Sequence, residues 1–119
     1  MGHTYARVKI YSEDSSRSRE LELMVDAGST YTWVREEILN ELGIGSKGTR
    51  RSMLGDGRTV ERVWGEAVVE YDGEKATTVV VFAERGDAQV LGVHALESLM
   101  LEVDPVTKRL KKAEYMLFI

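Results

Sequence analysis

Polar and apolar residues alternate along two stretches near the start of the chain. In residues 5–10, YARVKI, and again in residues 20–25, ELELMV, every second side chain is apolar, which is the period of a half-buried β-strand. The polar residues between them, 12–19, predict a turn. We therefore expect the chain to open with a β-hairpin whose second strand ends at Asp26.

The period of the pattern changes after this hairpin. Apolar residues recur at helical spacing from position 34 to position 42, at Val34, Ile38, Leu39 and Leu42. Gly43 follows at the point where such a helix would end. The pattern predicts one short amphipathic helix that packs against a sheet.

The middle of the chain alternates again and contains two strong turn signals. Asp56-Gly57 and Asp72-Gly73 are both typical of tight hairpin turns. Between them, residues 63–71 place apolar or small side chains on one face, and residues 75–82 predict the strand that pairs back. We therefore expect an antiparallel meander in this part of the chain.

The last third of the chain predicts only short elements. Residues 90–93, VLGV, predict a small apolar strand, residues 95–99 a short helix, and residues 101–104 a strand that stops at Pro105. Residues 115–119, YMLFI, are apolar and β-prone. The whole pattern predicts a mostly β domain with one or two short helices.

Composition narrows the class of protein. The chain has 119 residues, of which 43% are hydrophobic and 30% charged, and this favours a single compact domain over residues 1–119. The 16 Lys and Arg residues against 20 Asp and Glu residues give a net charge of -4, with both signs mixed along the chain. We therefore expect no nucleic-acid partner and no attraction to an anionic membrane surface.

Residue types also limit the chemistry. The chain contains no cysteine, which excludes thiol catalysis, disulfides and thiolate metal sites. Its two histidines, His3 and His94, are far apart in sequence, and neither has a partner at metal-ligand spacing. We predict neither a bound metal nor a cofactor.

The N-terminal residues lack the basic and apolar segments of a secretion signal. No apolar run approaches the roughly 20 residues that a membrane helix needs. The expectation is a cytoplasmic protein without a membrane partner.

A carboxylate stands at the end of the second predicted strand. Asp26 is followed by Ala27, Gly28, Ser29 and Thr30. The glycine allows another backbone or a substrate to come close, and the two hydroxyls can bond neighbouring backbone or carboxylate oxygens. The same residue types are common in an ordinary turn after a strand, because they form local hydrogen bonds. Taken alone, these residues favour that ordinary turn.

Three segments in this order resemble the retropepsin-like (clan AA) aspartic proteases, in particular the small single-domain bacterial and archaeal members. VDAGSTYTWV, residues 25–34, is similar to the catalytic-loop segment, which in the family has Asp-Thr-Gly or Asp-Ser-Gly. GDGRTVERVWGEAVVEYDGEKATTVVVF, residues 55–82, is similar to the flap hairpin and the strands after it. VLGVHALESLMLEVDP, residues 90–105, is similar to the second signature of the family. The resemblance covers most of the chain and implies the closed β-barrel of the acid protease fold.

The resemblance implies a homodimer that hydrolyses peptide bonds. The chemistry of the family needs two aspartates, and this chain has one such motif, so each copy would supply Asp26. The two carboxylates would share one proton and activate a water molecule for attack on the peptide, without a covalent intermediate.

The resemblance also assigns roles around Asp26. The flap that closes over an extended peptide would be formed by Leu54, Gly55, Asp56 and Gly57. Leu91 and Gly92 would lie beneath the catalytic loop and support it. Residues 115–119 would either join a dimer sheet with the partner chain or form an edge strand of the chain's own barrel.

Ala27 departs from the family pattern, which has Thr or Ser at this position. In the family that hydroxyl bonds across the dimer axis and stiffens both loops, and a buried group left without its bond costs ~1–3 kcal/mol. Two functions therefore stay open. Intact Asp26 and Gly28 favour an active dimeric aspartic endopeptidase, whereas Ala27 favours a catalytically weak or inactive module that binds peptides or dimerises.

Overall fold

The computed structural model describes residues 3–115, and its secondary structure is mostly β. Within these residues, nine strands and two short helices follow one another: β1 (Tyr5–Tyr11), β2 (Ser18–Val25), β3 (Thr32–Arg35), α1 (Glu36–Glu41), β4 (Gly48–Met53), β5 (Thr59–Tyr71), β6 (Glu74–Ala83), β7 (Val90–Leu91), α2 (Val93–Ser98), β8 (Leu101–Val103) and β9 (Leu110–Lys112). The predicted mostly β class with two short helices is confirmed.

Six of the strands pair into a ring. Their order is β1, β2, β7, β3, β6 and β5, and β5 pairs back with β1 through Lys9 opposite Glu70 and Ile10 opposite Val69. β4 lies outside this ring as the antiparallel partner of the first half of β5. β4 is therefore the edge strand of the seven-stranded sheet.

The short strand β7 lies between β2 and β3. It runs parallel to β2, with Val25 opposite Leu91, and antiparallel to β3, with Trp33 opposite Val90. Because β2 and β7 run in the same direction, the residues that follow them emerge at the same edge of the sheet. This pairing brings Asp26, at the end of β2, next to Gly92, at the end of β7.

The core lies on the inner face of the ring. Alternate residues of β1 are buried as the pattern predicts, and in β5 the buried side consists of Gly65, Ala67 and Val69. The helices add Leu39 and Leu96 to the same core. Burying one such leucine side chain contributes roughly 1.5–3 kcal/mol to the free energy of unfolding.

The predicted start of the first helix is wrong by two residues. Val34 lies in β3, where it is fully buried and pairs in parallel register with Phe82, and α1 begins at Glu36. A buried valine satisfies a helical and a strand pattern equally well, so the pairing with distant strands decided its state. The predicted end of the helix at Gly43 is confirmed, since Gly43 has a φ of +71° and its N–H donates to the carbonyl of Asn40.

The prediction for the C-terminal strand, residues 115–119, falls almost entirely outside the described residues and stays a prediction. Tyr115, its first residue, is exposed. Neither helix found between residues 3 and 115 has the length and apolar character needed to cross a membrane.

Candidate functional site

Asp26 follows β2 directly and is held by the backbone of β7. Its N–H donates to the carbonyl of Leu91 at 3.0 Å, while the N–H of Val25 donates to the carbonyl of Thr4 at 2.7 Å. The Asp26 side chain is half-buried. A carboxylate is therefore placed at a fixed point on the edge of the sheet.

The local turn expected after the strand is also present. The N–H of Gly28 donates to Oδ1 of Asp26 at 2.9 Å, and the N–H of Ser29 donates to the carbonyl of Asp26 at 3.1 Å. Within residues 3–115, Oδ2 of Asp26 accepts no hydrogen bond. One carboxylate oxygen is thus used by the turn, and the other has no partner among the described residues.

The loop that carries Asp26, residues 26–31, rests on the start of α2. The N–H groups of Val93 and His94 donate to the carbonyls of Ser29 and Thr30 at 2.8 and 3.0 Å. The first amides of a helix have no partner within the helix itself. The loop supplies these partners, so the two segments fix each other.

Gly92 is required here because the backbone of the loop comes close. A Cβ atom on this residue would lie 2.3 Å from the carbonyl oxygen of Tyr31 and 2.9 Å from that of Ser29. Its φ of −88° is ordinary for any amino acid, so contact and not backbone conformation excludes a side chain. The structure therefore brings Leu91 and Gly92 beneath the Asp26 loop.

Thr32 is a residue of this site that the sequence analysis did not identify. Its side chain is fully buried, and its Oγ1 accepts the N–H of Gly92 at 3.0 Å. The hydroxyl locks β3 to the end of β7. A threonine in an otherwise apolar strand segment, TWV, was the available signal.

The turn of the β4–β5 hairpin, residues 54–58, is closed by its own hydrogen bonds. The N–H of Leu54 donates to the carbonyl of Arg58 at 2.8 Å, and Gly57 adopts a φ of +90°. The carboxylate of Asp56 accepts the N–H of Arg58 at 3.0 Å and its Nε at 2.7 Å. These bonds from Arg58 lower the pKa of Asp56. The Asp56 side chain thus serves the turn.

Strand β4 of the hairpin contacts the Asp26 loop through Arg50. The Arg50 guanidinium lies 3.8 Å from the ring centroid of Trp64 and 5.8 Å from that of Tyr31, and its Nη1 donates to the Tyr31 hydroxyl at 3.4 Å. The Tyr31 ring meets His94 edge-on, with centroids 5.6 Å apart. Sequence reasoning missed this group, since its four members come from four separate segments.

A second arginine of the hairpin has a different environment. The guanidinium of Arg62 donates to both oxygens of Asp87, at 2.7 and 3.1 Å, and Asp87 also accepts the N–H of Glu84 at 2.7 Å. The hydrogen bond from Arg62 is the main cause of the lowered pKa of Asp87. This pair attaches the loop between β6 and β7 to β5.

Two cavities of about 260 and 170 Å³ lie elsewhere on the molecule. Glu36, Asn40 and Phe82 help to line the larger, and Tyr11 and Glu66 the smaller. Asp26 lines neither of them. The described part of the chain contains no group of three or more His, Cys, Asp or Glu residues placed to hold a metal ion.

Comparison with models of known protein families finds no match to this chain, and a search of the curated proteins finds none.

Proposed function

We propose that the protein is a retropepsin-like aspartic endopeptidase that acts as a homodimer. The observation that carries the proposal is the contact between the Asp26 loop and the end of β7. Gly92 packs against the loop backbone with no room for a side chain, and Thr32 binds its amide. This is the relation that the resemblance requires between an Asp-x-Gly loop and an apolar-apolar-Gly segment.

The ring of six paired strands supports the same proposal. The ends of β2 and β7 lie side by side in this ring, and β4 pairs with β5 as the edge strand of the same sheet. In the proposed enzyme the β4–β5 hairpin is the flap. Its turn is exposed, while Arg50 at its base contacts Tyr31 of the Asp26 loop.

The chemistry requires two copies of the chain. One copy contributes a single Asp26 carboxylate, which is half-buried in the single chain. Two such carboxylates within hydrogen-bond distance hold one shared proton, because ionising both at once is costly. The ionised group takes a proton from a water molecule, which attacks the peptide carbonyl. The protonated group polarises that carbonyl and then delivers its proton to the leaving amine.

Ala27 supports a second function. Its methyl group is exposed in the single chain, so a dimer formed across this loop lacks the hydroxyl pair that the family uses there. We expect a weaker dimer with looser loops. A peptide-binding module with little or no turnover is therefore the alternative.

The test compares the unaltered protein with Asp26→Asn on an unstructured protein substrate. Cleavage is followed by mass spectrometry over roughly pH 3 to 8, which spans ordinary and raised carboxyl pKa values. We expect cleavage by the unaltered protein and none by Asp26→Asn, since an amide cannot act as a base.

The matched control is Asp72→Asn, in the exposed turn between β5 and β6. Asp72 has a φ of +51°, a conformation that asparagine also tolerates, and this variant should cleave normally. Sedimentation of the same samples gives the oligomeric state. A strictly monomeric protein, or equal cleavage by Asp26→Asn, would contradict the proposal. Folded dimers that never cleave would favour the peptide-binding alternative.

A further inference from the structure

Two arginines of the hairpin, Arg50 and Arg62, lie opposite each other, but of the two only Arg62 has an ion-pair partner among the described residues. Arg50 of β4 lies directly opposite Arg62 of β5, and directly opposed residues share a face of the sheet. Arg62 is paired with Asp87 and lies 3.6 Å from Glu84, and its side chain is 14% exposed. Within residues 3–115, Arg50 forms no ion pair, and it is exposed.

Aromatic rings hold the Arg50 guanidinium in place. The indole ring of Trp64 covers one face of the guanidinium at 3.8 Å, and the Tyr31 hydroxyl accepts a hydrogen bond from Nη1. Stacking on an aromatic ring is a common and favourable setting for arginine. It leaves the remaining N–H groups at the edge of the guanidinium free to donate. The group is thus pre-organised and positively charged, and it has no anionic partner among residues 3–115.

A carboxylate fits this arrangement. Arginine binds carboxylates through two parallel N–H···O bonds in the plane of the guanidinium, and a charge-assisted pair of this type is stronger than a neutral hydrogen bond. Stacking restricts the side chain beforehand, so less conformational entropy is lost on binding. The Tyr31 hydroxyl accepts the bond from Nη1 and keeps its own proton to donate.

The position of the group connects it with the proposed active site. Tyr31 belongs to the loop that carries Asp26, and Arg50 belongs to the base of the proposed flap. We propose that Arg50, Tyr31 and Trp64 form a subsite that binds an acidic side chain of an extended peptide. The inference rests on the proposed function, because it places the peptide between the hairpin and the Asp26 loop.

Binding is measured separately from cleavage by working with Asp26→Asn protein throughout. Short extended peptides are compared in pairs that differ only by glutamate against glutamine, with the substitution moved along the peptide, and the dissociation constants are measured by fluorescence anisotropy. At one position, we expect the glutamate peptide to bind about tenfold more tightly than its glutamine counterpart.

Two substitutions of Arg50 test whether this residue causes the preference for glutamate. Arg50→Gln should abolish it, and Arg50→Lys should restore only part of it, because an ammonium group keeps the charge and loses the two parallel bonds. Arg51→Gln removes the same charge from the neighbouring residue of β4, whose side chain points to the other face. This control should keep the preference for glutamate.

The outcomes distinguish failure of the subsite proposal from failure of the endopeptidase proposal. An Arg50-dependent preference for glutamate supports the subsite even if the unaltered protein never cleaves, in which case the endopeptidase proposal fails alone. Cleavage without any acidic preference removes the subsite and leaves the endopeptidase. Equal losses in Arg50→Gln and Arg51→Gln would show a general effect of charge and overturn the inference. So would the absence of peptide binding while all variants keep the unaltered melting temperature.

Discussion

Gly92 and Gly55 lie in the two segments that would enclose a substrate, and their surroundings are opposite. A Cβ atom on Gly92 would collide with the Tyr31 carbonyl at 2.3 Å, whereas a Cβ atom on Gly55 would meet no atom of the described chain within 4 Å. The Asp26 side of the site is therefore a close-packed joint between two loops. The hairpin side is held to the ring by strand pairing and by Arg50 at its base. The two segments therefore differ in packing: the first leaves no space for a side chain at Gly92, and the second leaves space at Gly55.

The largest expected effect comes from filling the packed joint. Gly92→Ala should lower the free energy of unfolding by roughly 3 kcal/mol, because backbone atoms and not a flexible side chain must move to admit the methyl group. Urea denaturation of the variant and the unaltered protein measures the difference.

Gly55→Ala is the matched control for this substitution. It adds the same methyl group in open space, and its effect should stay within about 0.5 kcal/mol. Equal losses in the two variants would mean that the joint and the hairpin do not differ in packing, and the comparison would fail.

The next effect concerns the hydroxyl inside the joint. Thr32→Val keeps the shape of the side chain but leaves the buried N–H of Gly92 without its acceptor, which should cost ~1–3 kcal/mol of stability. Thermal and urea unfolding of the variant test this loss. In the proposed enzyme, activity should fall as well, since the Asp26 loop rests on the same contact.

Thr78→Val provides a control with the opposite expectation. Thr78 is also buried, and its hydroxyl has no hydrogen-bond partner among the described residues. Replacing this hydroxyl with a methyl group removes a buried polar atom that forms no hydrogen bond with the described residues. The free energy of unfolding should therefore be unchanged or higher. A loss at Thr78 as large as that at Thr32 would show that size and not hydrogen bonding sets the cost.

The smallest effect concerns the pair that attaches the β6–β7 loop. Asp87→Asn should cost about 1 kcal/mol at neutral pH, because the amide loses the charge and one of the two acceptor oxygens. Its remaining oxygen can still accept from Arg62, and Glu84, 3.6 Å away, still meets the charge of the arginine. The pKa of Asp87 is lowered in the folded protein. The unfolded chain therefore binds more protons between the folded and unfolded pKa values, and stability rises with pH in that window.

Because the pKa of Asp87 is lowered, its contribution to stability should depend on pH. The contribution of Asp87 is fully present above its unfolded pKa of about 3.9 and is lost as the pH falls through the lower, folded value. Unfolding of the unaltered protein and of Asp87→Asn is compared on acidification, and the gap between them should close. A gap that stays constant with pH would mean that the charge of Asp87 contributes nothing.

Local patterns predicted much of the fold. Alternation placed β1, β2 and the long strand β5, and the Asp72-Gly73 pair predicted a turn in which both residues have positive φ. These features depend on residues that are neighbours in sequence, so they can be predicted from the sequence alone. The placement of a carboxylate at the end of a core strand, at Asp26, was visible for the same reason.

Other features depended on contacts between segments far apart in the chain. Val34 entered β3 and not the helix because β6 and β7 pair with that strand. The Thr32 hydroxyl gained its role from the amide of Gly92, and Arg50 acquired two aromatic neighbours from separate segments. The residue types and the periods of the elements follow from the order of the amino acids. Which side chains meet at the site depends on how the closed ring of strands brings distant residues together, because no local pattern contains a partner that lies tens of residues away.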